Sequence, residues 1–280
     1  MNYFQAEQVN HHITCIRSHS GELMYFLQGS KHAILMDTCL GIKGLRSYVD
    51  ALANQPYDVI ITHGHIDHAM GAQEFMDDHK IYMNLKDMDL YHSMEDVEGR
   101  LMYAKLNGGM TLDLSEDDFM PPTEVPFIDL SDGMVFDLGG LTVEILAVPG
   151  HTQGSMALLI PEEKTLILGD AGNGFTFLFD EKNSSTVQEY QKMLIGLKKR
   201  IAGKVDKIYM CHHRMEAPVT LLDELIEVCN DIIARNVWDG PFEFMGEKGI
   251  VIAKEMVFDQ SGPHRKDGKL ANIVYRPGRI

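Results

Sequence analysis

"ITHGHIDHAMGA", residues 61–72, places His63, His65, Asp67 and His68 within six positions, directly after the apolar run that begins "DVIIT" at residue 58. A β-branched run of that kind reads as a strand. A turn at its end, eased by Gly64, frees the side chains from the alternation a strand imposes, so all four can converge on one point. Imidazole and carboxylate suit zinc and other first-row transition metals, whereas magnesium and calcium favour all-oxygen ligands. Any one of these residues alone would be a solvated loop side chain. Four of them at this density, in a chain with 13 histidines in all, argue for a metal site.

Upstream, "HITCIRS", "ELMYFLQG" and "HAILMDTC" are short apolar or alternating runs that suit strands of one meandering sheet. From Gly41 to Asn54, Leu45, Val49 and Leu52 recur at helical spacing, so the order is strand, helix, strand, ligands. Downstream, "AMGAQEFMDDH" predicts a short helix and "KIYMN" a strand. Residues 85–125 are rich in Met, Asp, Glu and Gly and close with the proline-rich "MPPTEVPF", which reads as a helical insert over the main body. Its Met88, Tyr91, Met94, Met102, Tyr103 and Met110 suit either an adaptable apolar lid or plain packing of the insert's helices.

A second strand-rich half follows, from "GMVFDLGGLTVEILAVPGH" through "MALLIPEEKTLILGD". Ser184 or Ser185 would cap a helix carrying Val187, Leu194, Leu197 and Ile201. "VDKIYMC" reads as a strand, "PVTLLDELIEVCNDIIARNV" as a helix begun by Pro218, and "GIVIAKEMVF" at 249–258 as a further strand. Two such halves imply two sheets packed together with helices outside.

Three stretches of this second half end strand-like runs in ligand-type residues: "ILAVPGHTQGS" presents His151, "TLILGDAGNG" presents Asp170, and "KIYMCHHRM" presents His212 and His213. Each is weak alone, since an Asp beside Gly commonly forms a turn. Joined to the first cluster they make seven ligands, enough for two metal ions sharing a carboxylate.

Composition narrows the partners. The 280 residues carry a formal net charge of −16, which disfavours a nucleic-acid surface, because affinity for phosphate backbones comes mainly from Lys and Arg. The start "MNYFQAEQVN" lacks the basic and apolar regions of a signal peptide, and no apolar run approaches the roughly 20 residues of a membrane span, so a cytoplasmic protein without membrane contact is expected. Cys15, Cys39, Cys211 and Cys229 are widely separated and read as buried free thiols.

Taken together, H-x-H-x-D-H at 63–68 followed by Gly71, PGHT-x-G-S at 149–155, LGDA at 168–171 and the histidine at 212 resemble the metallo-β-lactamase superfamily, in that family's order. The resemblance implies an α/β fold, an αββα four-layer sandwich of two mixed sheets, here as a single domain over residues 1–280 with the insert at 85–125. It implies two divalent ions, zinc foremost, with iron or manganese also accepted by such ligands. His63, His65 and His151 would hold the first ion; Asp67, His68 and His212 the second; Asp170 would bridge both. Asp37 would support the ligand loop without ligating. Cys211 and His213 stand where many members have glycine, and the strand alignment favours His212 over His213. A bridging Asp looks like the glyoxalase II, lactonase and phosphodiesterase branches. The implied activity is a dinuclear hydrolase in which a hydroxide bridging the metals attacks a small-molecule ester, lactone or thioester, with Asp67 and Asp170 in catalytic roles. A small-molecule phosphodiesterase is the alternative, and a di-iron redox protein of the same fold a third.

Overall fold

A computed structural model of the chain describes residues 3–110, 112–212, 214–259 and 262–280; His213, the alternative last ligand, lies outside the described residues. The strand-like runs of the first half pair in chain order, as β1 (Phe4–Gln8), β2 (Ile13–Ser18), β3 (Leu23–Gln28), β4 (Ala33–Met36), β5 (Tyr57–Ile60), β6 (Ile81–Met83) and β7 (Ile128–Asp129). β1 to β4 are antiparallel and β4 to β7 parallel. Parallel neighbours need crossovers. These are α1 (Leu45–Asp50) between β4 and β5, α2 (Ile66–Ala69) between β5 and β6, and α3 (Met88–Ser93) with α4 (Val97–Gly108) between β6 and β7.

The second half builds β8 (Val135–Asp137), β9 (Thr142–Ala147), β10 (Met156–Ile160), β11 (Thr165–Ile167), β13 (Lys207–Tyr209) and β14 (Glu216–Pro218), ordered β14-β13-β11-β10-β9-β8. α5 (Val187–Ile201) and α6 (Leu221–Ile233) cover it. A third, smaller sheet joins β12 (Thr176–Leu178), which precedes β13, to β15 (Gly240–Pro241), β16 (Val251–Ile252) and β19 (Ile273–Tyr275); β17 (Met256–Asp259) and β18 (Gly262–Arg265) form a hairpin.

Side chains that alternate along each strand fill layers on both faces of both large sheets. Between the sheets, Tyr25, Leu27, Ile34 and Ile60 meet Ile145, Leu158, Ile167 and Tyr209. Tyr25 and Tyr209 stack there with centroids 5.7 Å apart. The opposite face of the first sheet, with Phe26, Leu35 and Val59, packs beneath Leu45, Val49, Phe75 and Tyr103. The outer face of the second, with Leu146, Leu159 and Ile208, packs beneath Val187, Tyr190, Leu194 and Leu225. The layers run helix, sheet, sheet, helix, the expected αββα arrangement.

Four local expectations change. α5 is capped by Thr186, not Ser184 or Ser185, because Thr186 and Glu189 form a capping box, while the Ser184 hydroxyl donates to the His151 carbonyl. Pro218 does not open α6; it ends β14, an edge strand, where its missing N–H costs little, and α6 begins at Leu221. The stretch 249–258 splits into β16 and β17, because Asn272 takes the backbone of Lys254 at both N–H and carbonyl and turns the chain. The helix expected after His68 begins earlier, at Ile66, and carries Asp67 and His68 itself. β1 was not foreseen, since four of its five residues are exposed and show no alternation. All four cysteines are free and buried, as expected.

Candidate metal centre

The site forms where β4, β5, β9, β11 and β13 end. At the end of β4, Asp37 adopts a left-handed backbone conformation, φ 63°, which is strained for a non-glycine residue. The strain turns its carboxylate toward the ligand turn: Oδ1 accepts from the Thr62 N–H at 2.7 Å and Oδ2 from the Thr62 hydroxyl at 2.9 Å. His68 Nδ1 donates to that same Oδ2 at 2.8 Å. The Thr62 hydroxyl, having given its proton to Asp37, accepts from His63 Nδ1 at 3.1 Å. The turn closes at Gly71, where a Cβ would lie 2.2 Å from the Thr38 carbonyl oxygen.

The second half supplies three more side chains. His151 follows β9, and its Nδ1 donates to the Phe177 carbonyl at 2.8 Å. Asp170 lies in a short 3-10 turn after β11. His212 follows β13, at a point pinned to β3 by the Tyr25 hydroxyl on the Met210 carbonyl, 2.6 Å, and by Leu23 N–H on the Cys211 carbonyl, 2.8 Å. These contacts turn Nε2 of His63, His68 and His151 toward the centre and leave those nitrogens for ligation.

All seven residues singled out in the sequence are brought together. Three overlapping groups have ligand atoms within 4.8 Å of one another: His63, His65 and His151; His63, His68 and Asp170; Asp67, His68 and His212. His65 Nδ1 is 2.8 Å from His151 Nε2, and His68 Nε2 is 3.1 Å from His212 Nε2, although the latter pair is 144 residues apart in sequence. Asp170 Oδ2 lies between the groups, 3.2 Å from His212, 3.7 Å from His68 and 3.8 Å from His151. Asp67 Oδ2 is 3.4 Å from His212.

The donor set fits a divalent ion. Four ligands held tetrahedrally at zinc's usual distances stand about 3.3 Å apart, close to these spacings. His63 Nε2 and Asp170 Oδ1 are buried and find no hydrogen-bond partner among the described residues. Orphaned buried polar atoms are costly, and a cation would satisfy both.

Electrostatics divide the cluster. Burial, then the neighbouring imidazoles, hold His63 well below its ordinary value, and burial with His151 pulls His65 down to about 3. Both imidazoles are therefore neutral, the form a metal requires. Burial opposes charge on His212 too, but facing Asp170 and Asp67 it is held up at about 9. His68 is raised well above its ordinary value: burial acts against it, and Asp67, Asp37 and Asp170 prevail. Burial would raise Asp67 and Asp170, yet His68 and His212 bring both carboxyls down.

Two residues beyond the sequence-derived ligand set complete the site. Asp87, after β6, is fully buried and accepts from the N–H of Gly64 at 3.0 Å, the N–H of Gly154 at 2.7 Å and the Thr152 hydroxyl at 2.6 Å. It thereby joins the 63–68 turn to the 149–155 loop, and a Cβ on Gly154 would lie 2.6 Å from its carboxyl carbon. Tyr103 of α4, foreseen only as lid or packing, donates its hydroxyl to Asp67 Oδ2 at 2.6 Å. Of the other insert residues, Tyr91 is buried against Phe127, Met88 and Met94 pack on the core, and Met102 and Met110 are exposed.

Comparison with known proteins bears on the fold and the family. An uncharacterised protein of Mycobacterium bovis is 32% identical over 130 residues, 46% of this chain and 54% of that protein, so the chain spans about half the length of that relative. An acyl-coenzyme A thioesterase of Bos taurus is 24% identical over 200 residues, 66% of this chain and 68% of its own. A solved metallo-beta-lactamase from Pontibacter korlensis shares the fold at TM-score 0.59 and 14% identity, covering 81% of this chain and 99% of that one. The family model described as the metallo-beta-lactamase superfamily matches residues 20–212, a span that holds all seven ligand-type residues. The chain belongs to the metallo-β-lactamase superfamily.

Proposed function

We propose that this metal-dependent hydrolase holds two divalent ions and cleaves an ester-type bond of a small molecule, with a thioester or carboxylic ester foremost. The observation that carries the reading is Asp170, whose Oδ2 stands between the His151 side and the His68–His212 side of one cluster. His63, His65 and His151 would hold one ion, Asp67, His68 and His212 the other, and Asp170 would serve both. Such ions would supply a water of lowered proton affinity and polarisation of the scissile carbonyl. Asp67 would accept the proton of the attacking water. Asp37 and the Phe177 carbonyl fix the outer nitrogens of His68 and His151, so those rings need no reorientation during turnover. The thioesterase relative supports a carbonyl substrate. We read residues 1–280 as one domain, with the 85–125 segment an insert over the site.

The test is a panel of thioester, lactone, carboxylic ester and phosphodiester substrates with zinc-loaded protein, using His65→Ala and Asp170→Ala as matched controls for contaminating hydrolases. Hydrolysis of carbonyl substrates that falls at least a hundredfold in both variants, by analogy with the loss of a principal catalytic group, is the expected outcome. Cleavage of phosphodiesters alone would replace the bond class, and activity surviving in both variants would remove the metal mechanism.

A further inference from the structure

α4 is an unusual helix to lay over a core, because its inward face carries the polar groups of Arg100 and Tyr103 beside the apolar Ala104 and the half-buried Val97 and Leu101. Arg100, Tyr103 and Ala104 are its buried residues, while Met102 and Leu106 are exposed. Burying polar groups there costs free energy that hydrogen bonds must offset. Arg100 uses its guanidinium as an anchor, with one terminal nitrogen donating to the Met120 carbonyl at 2.6 Å and the other reaching the Leu40 carbonyl at 3.4 Å, in the loop that follows Asp37, while its Nε is buried without a hydrogen-bond partner among the described residues. Asp96 caps the helix by accepting from the Gly99 N–H at 2.7 Å. Tyr103, one turn after Arg100, is thereby held in place, and its hydroxyl donates to Asp67 Oδ2 at 2.6 Å.

The oxygen that Tyr103 takes is the one facing the histidines: Asp67 Oδ2 is 3.4 Å from His212 Nε2 and 3.8 Å from His68 Nε2. A carboxylate on so short a side chain can rotate its oxygens, and α2, four residues long, offers little to prevent it. We infer that Tyr103 is a positioning residue for the second metal ion: α4, anchored by Arg100, sets the Asp67 carboxylate through the Tyr103 hydroxyl so that Oδ2 is presented to the His68–His212 pair. This rests on the two-ion reading above. Partners that orient a ligand from behind carry much of a site's affinity, and their loss typically weakens metal binding by about ten- to a hundredfold.

The test is stepwise calorimetric titration of metal-free protein with Zn²⁺ alone, in the wild type, Tyr103→Phe and Tyr91→Phe. Tyr91 is a buried tyrosine of the same segment whose ring packs against Phe127 at 5.0 Å, so it controls for loss of a tyrosine hydroxyl that does not bond to Asp67. The wild type and Tyr91→Phe should bind two ions with matching affinities. Tyr103→Phe should keep the first affinity and lose roughly ten- to a hundredfold in the second. Co²⁺ loaded to saturation supplies a second measurement, independent of affinity and of turnover: the visible band of the second ion should shift in Tyr103→Phe and not in Tyr91→Phe. Two ions bound by Tyr103→Phe with wild-type affinities, or an unshifted second Co²⁺ band, would overturn the inference alone. Fewer than two ions in the wild type would overturn the two-ion reading and the inference with it.

Discussion

His212 carries the clearest pH signature of any single residue. Burial disfavours its charge, but Asp170 and Asp67 hold the imidazole up at about 9, so the metal-free protein carries a proton there at neutral pH. A ligating imidazole must be neutral, so binding at pH 7 has to expel that proton. The sign follows: affinity for the ion at His212 rises with pH as His212 loses its proton, and His68, held up by Asp67, Asp37 and Asp170, offers a second proton to displace in the same direction. Calorimetry at pH 7 in buffers of different ionisation enthalpy should show net proton release that falls as pH rises; no buffer dependence would contradict the assignment. The seven ligand-type side chains were legible in sequence because a strand end followed by clustered His and Asp has few other uses. Tyr103 as an Asp67 partner was not, since the link spans 36 residues and a Tyr among methionines carries no local mark.

Between elements, the decisive tie is Asp87. Its carboxylate satisfies three donors, two on the 149–155 loop and one on the 63–68 turn, reaching 23 to 67 residues along the chain. Replacing it with alanine leaves the Gly64 and Gly154 N–H groups without a partner, each at a cost of roughly 1 to 3 kcal/mol, while the Thr152 hydroxyl keeps Ser155 Oγ at 2.8 Å. Asp87→Ala should therefore lose about 2 kcal/mol or more in chemical denaturation of the metal-free protein; a loss under about 1 kcal/mol would mean that the two motifs hold their places without it. Nothing in "NLKDMD" distinguishes Asp87 from a surface acid. The helices show the same limit. α5 was readable from Val187, Leu194, Leu197 and Ile201, which all face the core, whereas α4 shows only partial periodicity because Arg100 and Tyr103 occupy its inward face.

On the scale of the whole molecule, the centre is a joint between two halves that each have a separate outer core. Alternating runs were enough to foresee two sheets with helices outside. The small third sheet was not foreseeable, because its strands come from residues 176–178 and from segments from residue 240 onward, and no local pattern announces that pairing. An ion shared by both halves binds the folded chain and not the unfolded one. At a hundred times its dissociation constant each ion adds about 2.7 kcal/mol, a rise of roughly 5 to 10 °C in a chain of this size. Scanning calorimetry of zinc-loaded and chelator-stripped protein should show that separation, and coincident midpoints would refute the joint. The 144 residues between His68 and His212 also set a timetable for synthesis. At about 5 to 20 residues per second, the ribosome takes roughly seven to thirty seconds to deliver the last ligand after the first four have emerged. His63, His65, Asp67 and His68 thus wait on the nascent chain while His151, Asp170 and His212 arrive in turn, so the finished centre records the docking of the second half.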